Sequence, residues 1–207
     1  MRGSGLVVPL VFALAAASVI ACGGTQVGAG DAGSDAGSDL YPNGPPPTAY
    51  VFATVQQGGG TCIAGTGVID VFTLSGGGSG AGVAGVPNGA TYEESPVSVA
   101  CTVAPSASGF TVSAGVSTGS GAFKLSGTMT SSGSQQNISA AFTKELAAGG
   151  VSYSESDCTF AFMPLGDSPA IKPGAVWGTL RCPDMTGSDP NDECSGVATV
   201  QLTNCTE

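Results

Sequence analysis

From Thr48 to the C-terminus, apolar residues recur at every second position in short runs separated by clusters of Gly, Pro, Ser and Asn. This period constrains the fold more than any other feature. Residues two apart share a face of a β-strand, whereas an amphipathic helix needs apolar residues three and four apart. Val97, Val99, Cys101 and Val103 alternate with Ser98, Ala100 and Thr102, and Phe110, Val112, Ala114 and Val116 with Thr111, Ser113 and Ser117. Phe123, Leu125 and Met129 oppose Lys124, Ser126 and Thr128, while Cys158, Phe160 and Phe162 oppose Asp157 and Thr159. Val176, Leu180 and Cys182 oppose Trp177, Thr179 and Arg181, and Ala198, Val200 and Leu202 oppose Thr199 and Gln201. With Tyr50 to Val55 and Val68 to Leu74 this makes about eight or nine strands, which predicts an all-β domain of β-sandwich or jelly-roll type. Residues 139–148, followed by Gly149-Gly150, fit a short glycine-stopped helix and equally a strand with Ile138, Ala140 and Phe142 inward.

Composition agrees with strands coated by hydroxyls. Only 10% of the 207 residues are charged, against about a quarter in ordinary domains, so Ser, Thr, Gly and Asn must cover the surface. Five Lys and Arg stand against 15 Asp and Glu, a net charge of −10, which argues against nucleic acid and anionic membrane surfaces as partners. Histidine is absent, and with it the commonest general base and metal ligand.

Residues 1–22 have the layout of an export signal: Arg2 near the start, an apolar run from Leu6 to Ile20 containing Pro9, then Ala21-Cys22. The run is short for a membrane-spanning helix. Val19-Ile20-Ala21-Cys22 resembles the lipobox of bacterial lipoproteins. The resemblance covers the first tenth of the chain and implies a signal peptide over 1–21, cut before a diacylglyceryl-bearing Cys22 that anchors the protein in the lipid bilayer. Gly23 after the cysteine, where Asp would mean inner-membrane retention, implies the outer membrane. The alternative is ordinary secretion after Ala15-Ala16-Ala17, with Cys22 a free thiol. Cysteine parity favours lipid: setting Cys22 aside leaves Cys62, Cys101, Cys158, Cys182, Cys194 and Cys205, an even set suited to three disulfides in an oxidising compartment. Cys182 and Cys194 close the loop joining two strands and are the expected pair. Cys62 with Cys101 and Cys158 with Cys205 complete one of fifteen connectivities.

Residues 22–48 read as the lipidated cysteine and a tether. Asp-Ala-Gly-Ser occurs twice in tandem before Pro45-Pro46-Pro47, a composition that cannot build a core and reaches roughly 25–30 Å as a coil. The β-domain then occupies residues 49–207.

Within the domain, Gly115-Val-Ser117-Thr-Gly119 matches the G-x-S-x-G pattern. A nucleophile elbow needs a following helix and a histidine base; here a strand follows, and the chain has no histidine. Lys124 and Lys144 do not stand in S-x-x-K spacing. Asp184, Asp189, Asn191, Asp192 and Glu193 crowd one loop as weak calcium candidates, without the EF-hand order, and no cofactor is expected. Glu155 and Asp157 fall in phase with Tyr153, so a carboxylate-dependent hydrolase is one rival reading and a calcium-dependent adhesion module another. Trp177, the only tryptophan, is expected on the outer face near Thr179 and Arg181. There it either lies under a loop or neighbouring strand, or stacks on a sugar ring or anchors a partner. The overall expectation is a non-enzymatic, membrane-anchored lipoprotein whose domain binds an extracytoplasmic protein or glycan, or serves a structural role.

Overall fold

The computed structural model describes residues 44–57, 62, 69–76, 84–145, 150–163, 168–188 and 192–207. The signal-like segment, Cys22 and nearly all of the tether therefore lie outside the described residues. Thirteen strands are described: β1 Thr48–Gln57, β2 Ile69–Leu74, β3 Val86–Pro87, β4 Thr91–Tyr92, β5 Ser95–Pro96, β6 Ser98–Ser106, β7 Gly109–Thr118, β8 Gly121–Met129, β9 Ser134–Lys144, β10 Val151–Phe162, β11 Ile171–Lys172, β12 Ala175–Thr186 and β13 Glu193–Thr203. No helix occurs among the described residues. The first part of the ambiguous stretch is strand: residues up to Lys144 belong to β9, with Ile138, Ala140 and Phe142 buried, while 146–148 lie outside the described residues.

Nine strands form one path, β2-β1-β13-β12-β10-β9-β8-β7-β6, antiparallel at every step. Strands β6 to β10 run as a meander of hairpins, and the N-terminal β1 is laid against the C-terminal β13. The sheet curls until β2 packs across onto β8 and β9. At the other end the chain after β13 reaches the edge of β6, where Thr206 bridges Thr102 in parallel. Val103 N donates to Thr206 O at 2.9 Å, and Thr206 N to Cys101 O at 3.0 Å. The result is an all-β, sandwich-like domain whose inward residues form a single core.

The core follows the sequence alternation. Val51, Phe123, Leu125, Phe142, Phe160, Leu180 and Leu202 are all fully or almost fully buried, and the Phe123 and Phe142 rings stack at 5.7 Å. Two inward glycines make room for the largest of these groups. A Cβ on Gly178 would collide with the Phe160 ring, and one on Gly196 with Met185. A side chain there would displace core atoms that contribute several kcal/mol.

The alternation fails at one place. Tyr153 and Cys158 are both buried although five residues apart, because β10 carries a bulge that shifts its register on β9 between Glu155 and Cys158. The extra residue reverses the facing of the strand beyond it. Glu155 Oε1 accepts hydrogen bonds from Ser156 N at 2.7 Å and Asp157 N at 2.9 Å, satisfying amides that the bulge distorts away from the ladder.

All six domain cysteines are paired, as Cys62–Cys194, Cys101–Cys205 and Cys158–Cys182. The expected pairings Cys182–Cys194, Cys62–Cys101 and Cys158–Cys205 are therefore wrong. Cys182 faces Gly196 on β13, not Cys194, which aligns with Met185 beyond a register shift. On its other side β10 pairs Thr159 with Arg181, which sets Cys158 opposite Cys182. Proximity across strands overrides proximity along the chain.

Candidate functional site

In β1 the small and branched residues Ala49, Val51, Ala53 and Val55 occupy the core, so the two-residue period turns Tyr50 and Phe52 outward. The same phase in β13 turns out Val197, Thr199 and Gln201, and in β12 Trp177, Thr179 and Arg181. Sheet register then assembles these side chains into rows. Tyr50 stands opposite Gln201 and Gln201 opposite Trp177, whose carbonyl accepts a hydrogen bond from Met163 N at 3.2 Å. The next row runs Thr73, Phe52, Thr199, Thr179, Ala161. Thr179 Oγ1 donates to Met163 Sδ at 3.1 Å, linking the rows. One further row contains Thr54, Val197, Arg181 and Thr159. The first two rows contain no side chain charged at neutral pH; Arg181, exposed on the next row, is the nearby cation.

Trp177 and Arg181 thus lie where the alternation put them, on the outer face of β12. Sequence reasoning missed Tyr50, Phe52, Met163 and Gln201 as their neighbours. The phase of Tyr50 and Phe52 was readable, but the pairing of β1 with β13 joins residues about 150 apart, and no local signal carries it.

A concavity of about 580 Å³ lies elsewhere, on the outer face of β7 to β10. Ser113, Ser126 and Ser139 cross it as a row of directly opposed hydroxyls, with Lys124, Ser154 and Glu155 also lining it. The Glu155 carboxylate is engaged with the bulge amides. The carboxylates proposed as a pair do not act from one face with Tyr153: that residue is in the core, Glu155 is half-buried and Asp157 is exposed. Ser117 lies within β7 opposite Ser98 and Ala122, and a strand follows it. Lys144 Nζ donates to Asp70 O at 2.8 Å.

Of the calcium candidates, Asp189 and Asn191 lie outside the described residues, and Asp184 and Glu193 are exposed. Asp192 is buried, with Oδ1 3.4 Å from Cys194 Sγ. Cys62, Asp192 and Cys194 form the one compact group of metal-ligand types among the described residues. Both sulfurs are committed to a disulfide, which leaves no thiolate to bind an ion.

The fold and its faces define a disulfide-stapled, all-β, sandwich-like type of domain. Neither a protein-family model, nor a curated protein, nor a solved structure matches the chain.

Proposed function

We propose that this chain is a lipoprotein precursor: Cys22 carries the lipid, residues 22–48 hold the domain off the membrane, and residues 49–207 form a non-enzymatic binding module. The observation that carries this reading is the cysteine pairing. Three disulfides use Cys62, Cys101, Cys158, Cys182, Cys194 and Cys205 among themselves, which leaves Cys22 as the one cysteine free for other chemistry. Three buried disulfides also suit an oxidising compartment, where an export signal would deliver the chain. Several acyl chains hold a protein stably, since each buried methylene contributes ~0.8 kcal/mol. The outer membrane is the proposed destination, from Gly23. A binding role is supported by the aromatic face of β1, β13 and β12, and a hydrolase is disfavoured because the Glu155 carboxylate is engaged in the bulge and Ser117 lacks a histidine.

The test expresses the full chain and its Cys22→Ser variant in a two-membrane bacterium. Detergent-phase partition is measured, together with the mass of the N-terminal peptide. The wild type is expected in the detergent phase with a lipid-sized mass increment on Cys22, and the variant in the aqueous phase. Equal partition of the two, or an unmodified Cys22, refutes the anchor.

A further inference from the structure

Two kinds of anomaly converge on one face. Among the described residues two large apolar side chains are exposed, Phe52 at 39% and Met163 at 43%. Among the same residues two buried side-chain polar atoms lack a hydrogen-bond partner, Trp177 Nε1 and Gln201 Oε1. All four residues belong to the two adjacent rows described above. An exposed aromatic leaves apolar surface in water, and a buried polar atom without a partner has lost its hydration with nothing in return. Neither is expected where the face has only water to meet.

We propose that this face binds a neutral glycan, with Phe52, Tyr50 and Trp177 as stacking surfaces and Gln201 and the threonine hydroxyls as hydrogen-bonding groups. The charge pattern selects the class of ligand. The protein carries a net charge of −10, yet these two rows hold no charge, so they form an uncharged window in an acidic surface. An anionic polymer is repelled by the whole, and a cationic one finds no partner here. The orphaned atoms narrow the choice further. Trp177 and Gln201 stand directly opposite each other on neighbouring strands, and one offers a donor while the other offers an acceptor. A sugar hydroxyl both accepts and donates, so a single one can serve both once the side chains turn toward it. A purely apolar protein surface would leave both unpaired. The apolar C–H face of a pyranose ring suits aromatic stacking. Tyr50 and Trp177, two strand spacings apart, are separated by roughly 10 Å, a span comparable with a disaccharide.

This inference rests on the binding-module reading, and the experiment keeps the two apart. Trp177 is the only tryptophan, so the intrinsic emission of the full chain in mild detergent reports on this face alone. The probes are soluble neutral β-1,3-glucan, β-1,4-glucan and α-mannan, with polygalacturonate as the anionic comparison. A saturable change in emission is expected with at least one neutral glycan and none with polygalacturonate. Phe52→Ala and Gln201→Leu should each weaken binding at least tenfold, with melting temperatures within a few degrees of wild type. The proposal is overturned by an emission unmoved by all three neutral glycans, or by binding that both variants retain. Self-association in light scattering that Phe52→Ala abolishes also overturns it, since the face would then be a contact between copies. Failure of glycan binding with detergent partition of the wild type intact removes this proposal and leaves the anchor standing. Glycan binding without partition does the reverse.

Discussion

Removing the Cys101–Cys205 cross-link, by Cys101→Ala with Cys205→Ala, perturbs the closure of the sheet while leaving its strands unchanged. The two cysteines are 104 residues apart, but the Cys62–Cys194 bridge shortens the path between them in the unfolded chain. It runs 39 residues back from Cys101 to Cys62 and 11 on from Cys194 to Cys205, about 50 in all. Loop-closure entropy for such a loop gives a loss of ~4 kcal/mol. At about 2–4 °C per kcal/mol for a domain of this size, the melting temperature should fall by roughly 8–16 °C. The Cys158–Cys182 pair closes a loop of 24 and should contribute slightly less, ~3.4 kcal/mol. What separates the two is location. Loss of Cys101–Cys205 frees the chain that bridges β6, so the amides of Val103 and Thr206, which donate across that junction, should exchange with deuterium far faster than β7 or β8 amides. Calorimetry on the oxidised double variant and residue-resolved exchange read both quantities. A fall under about 4 °C, or unchanged protection at Val103 and Thr206, refutes the reasoning.

Phe142 is fully buried and stacked on Phe123, so Phe142→Ala should destabilise by about 3–5 kcal/mol in chemical denaturation. Glu155→Ala removes the acceptor for two bulge amides and should cost about 1–2 kcal/mol, measured in the same way. Glu155→Gln, which keeps a carbonyl oxygen, should recover most of that. Millimolar calcium should leave the melting temperature unmoved, because Asp184 and Glu193 are exposed while Asp192 is turned into the core beside Cys194; a rise reversed by chelator would restore the calcium reading.

The facing of most strands was legible because it is a local property. Val99, Val112, Leu125, Phe160, Leu180 and Val200 are all in the core, where the two-residue period put them. What stayed hidden depends on partners distant in sequence. The bulge at Glu155–Cys158 shows no break in the pattern of residue types, so Tyr153 was assigned to the wrong side. Cysteine connectivity failed for the same reason: the inward phase of Cys158 and Cys182 was correct, but only register across β10 and β12 tells which sulfur each one meets. Of the candidate site, Trp177 and Arg181 were visible as outward residues on one strand. Tyr50, Phe52 and Gln201 join them only through the pairing of β1 with β13.

That pairing also orders the events of folding. Thr48 aligns with Thr203, so one edge of the first strand can pair early with β2, but its other edge has no partner until the last strand has emerged. A chain synthesised from its N-terminus must keep that edge of β1 open until β13 is made, and contacts this distant in sequence form slowly. Oxidation meets the same constraint. Of the six domain cysteines, Cys62 and Cys101 emerge first, yet their native partners, Cys194 and Cys205, are among the last residues to arrive. Only Cys158–Cys182 can close early without error. A Cys62–Cys101 bond formed before Cys194 and Cys205 arrive must be broken by attack of a later thiolate, so this connectivity ties maturation to disulfide isomerisation as well as oxidation.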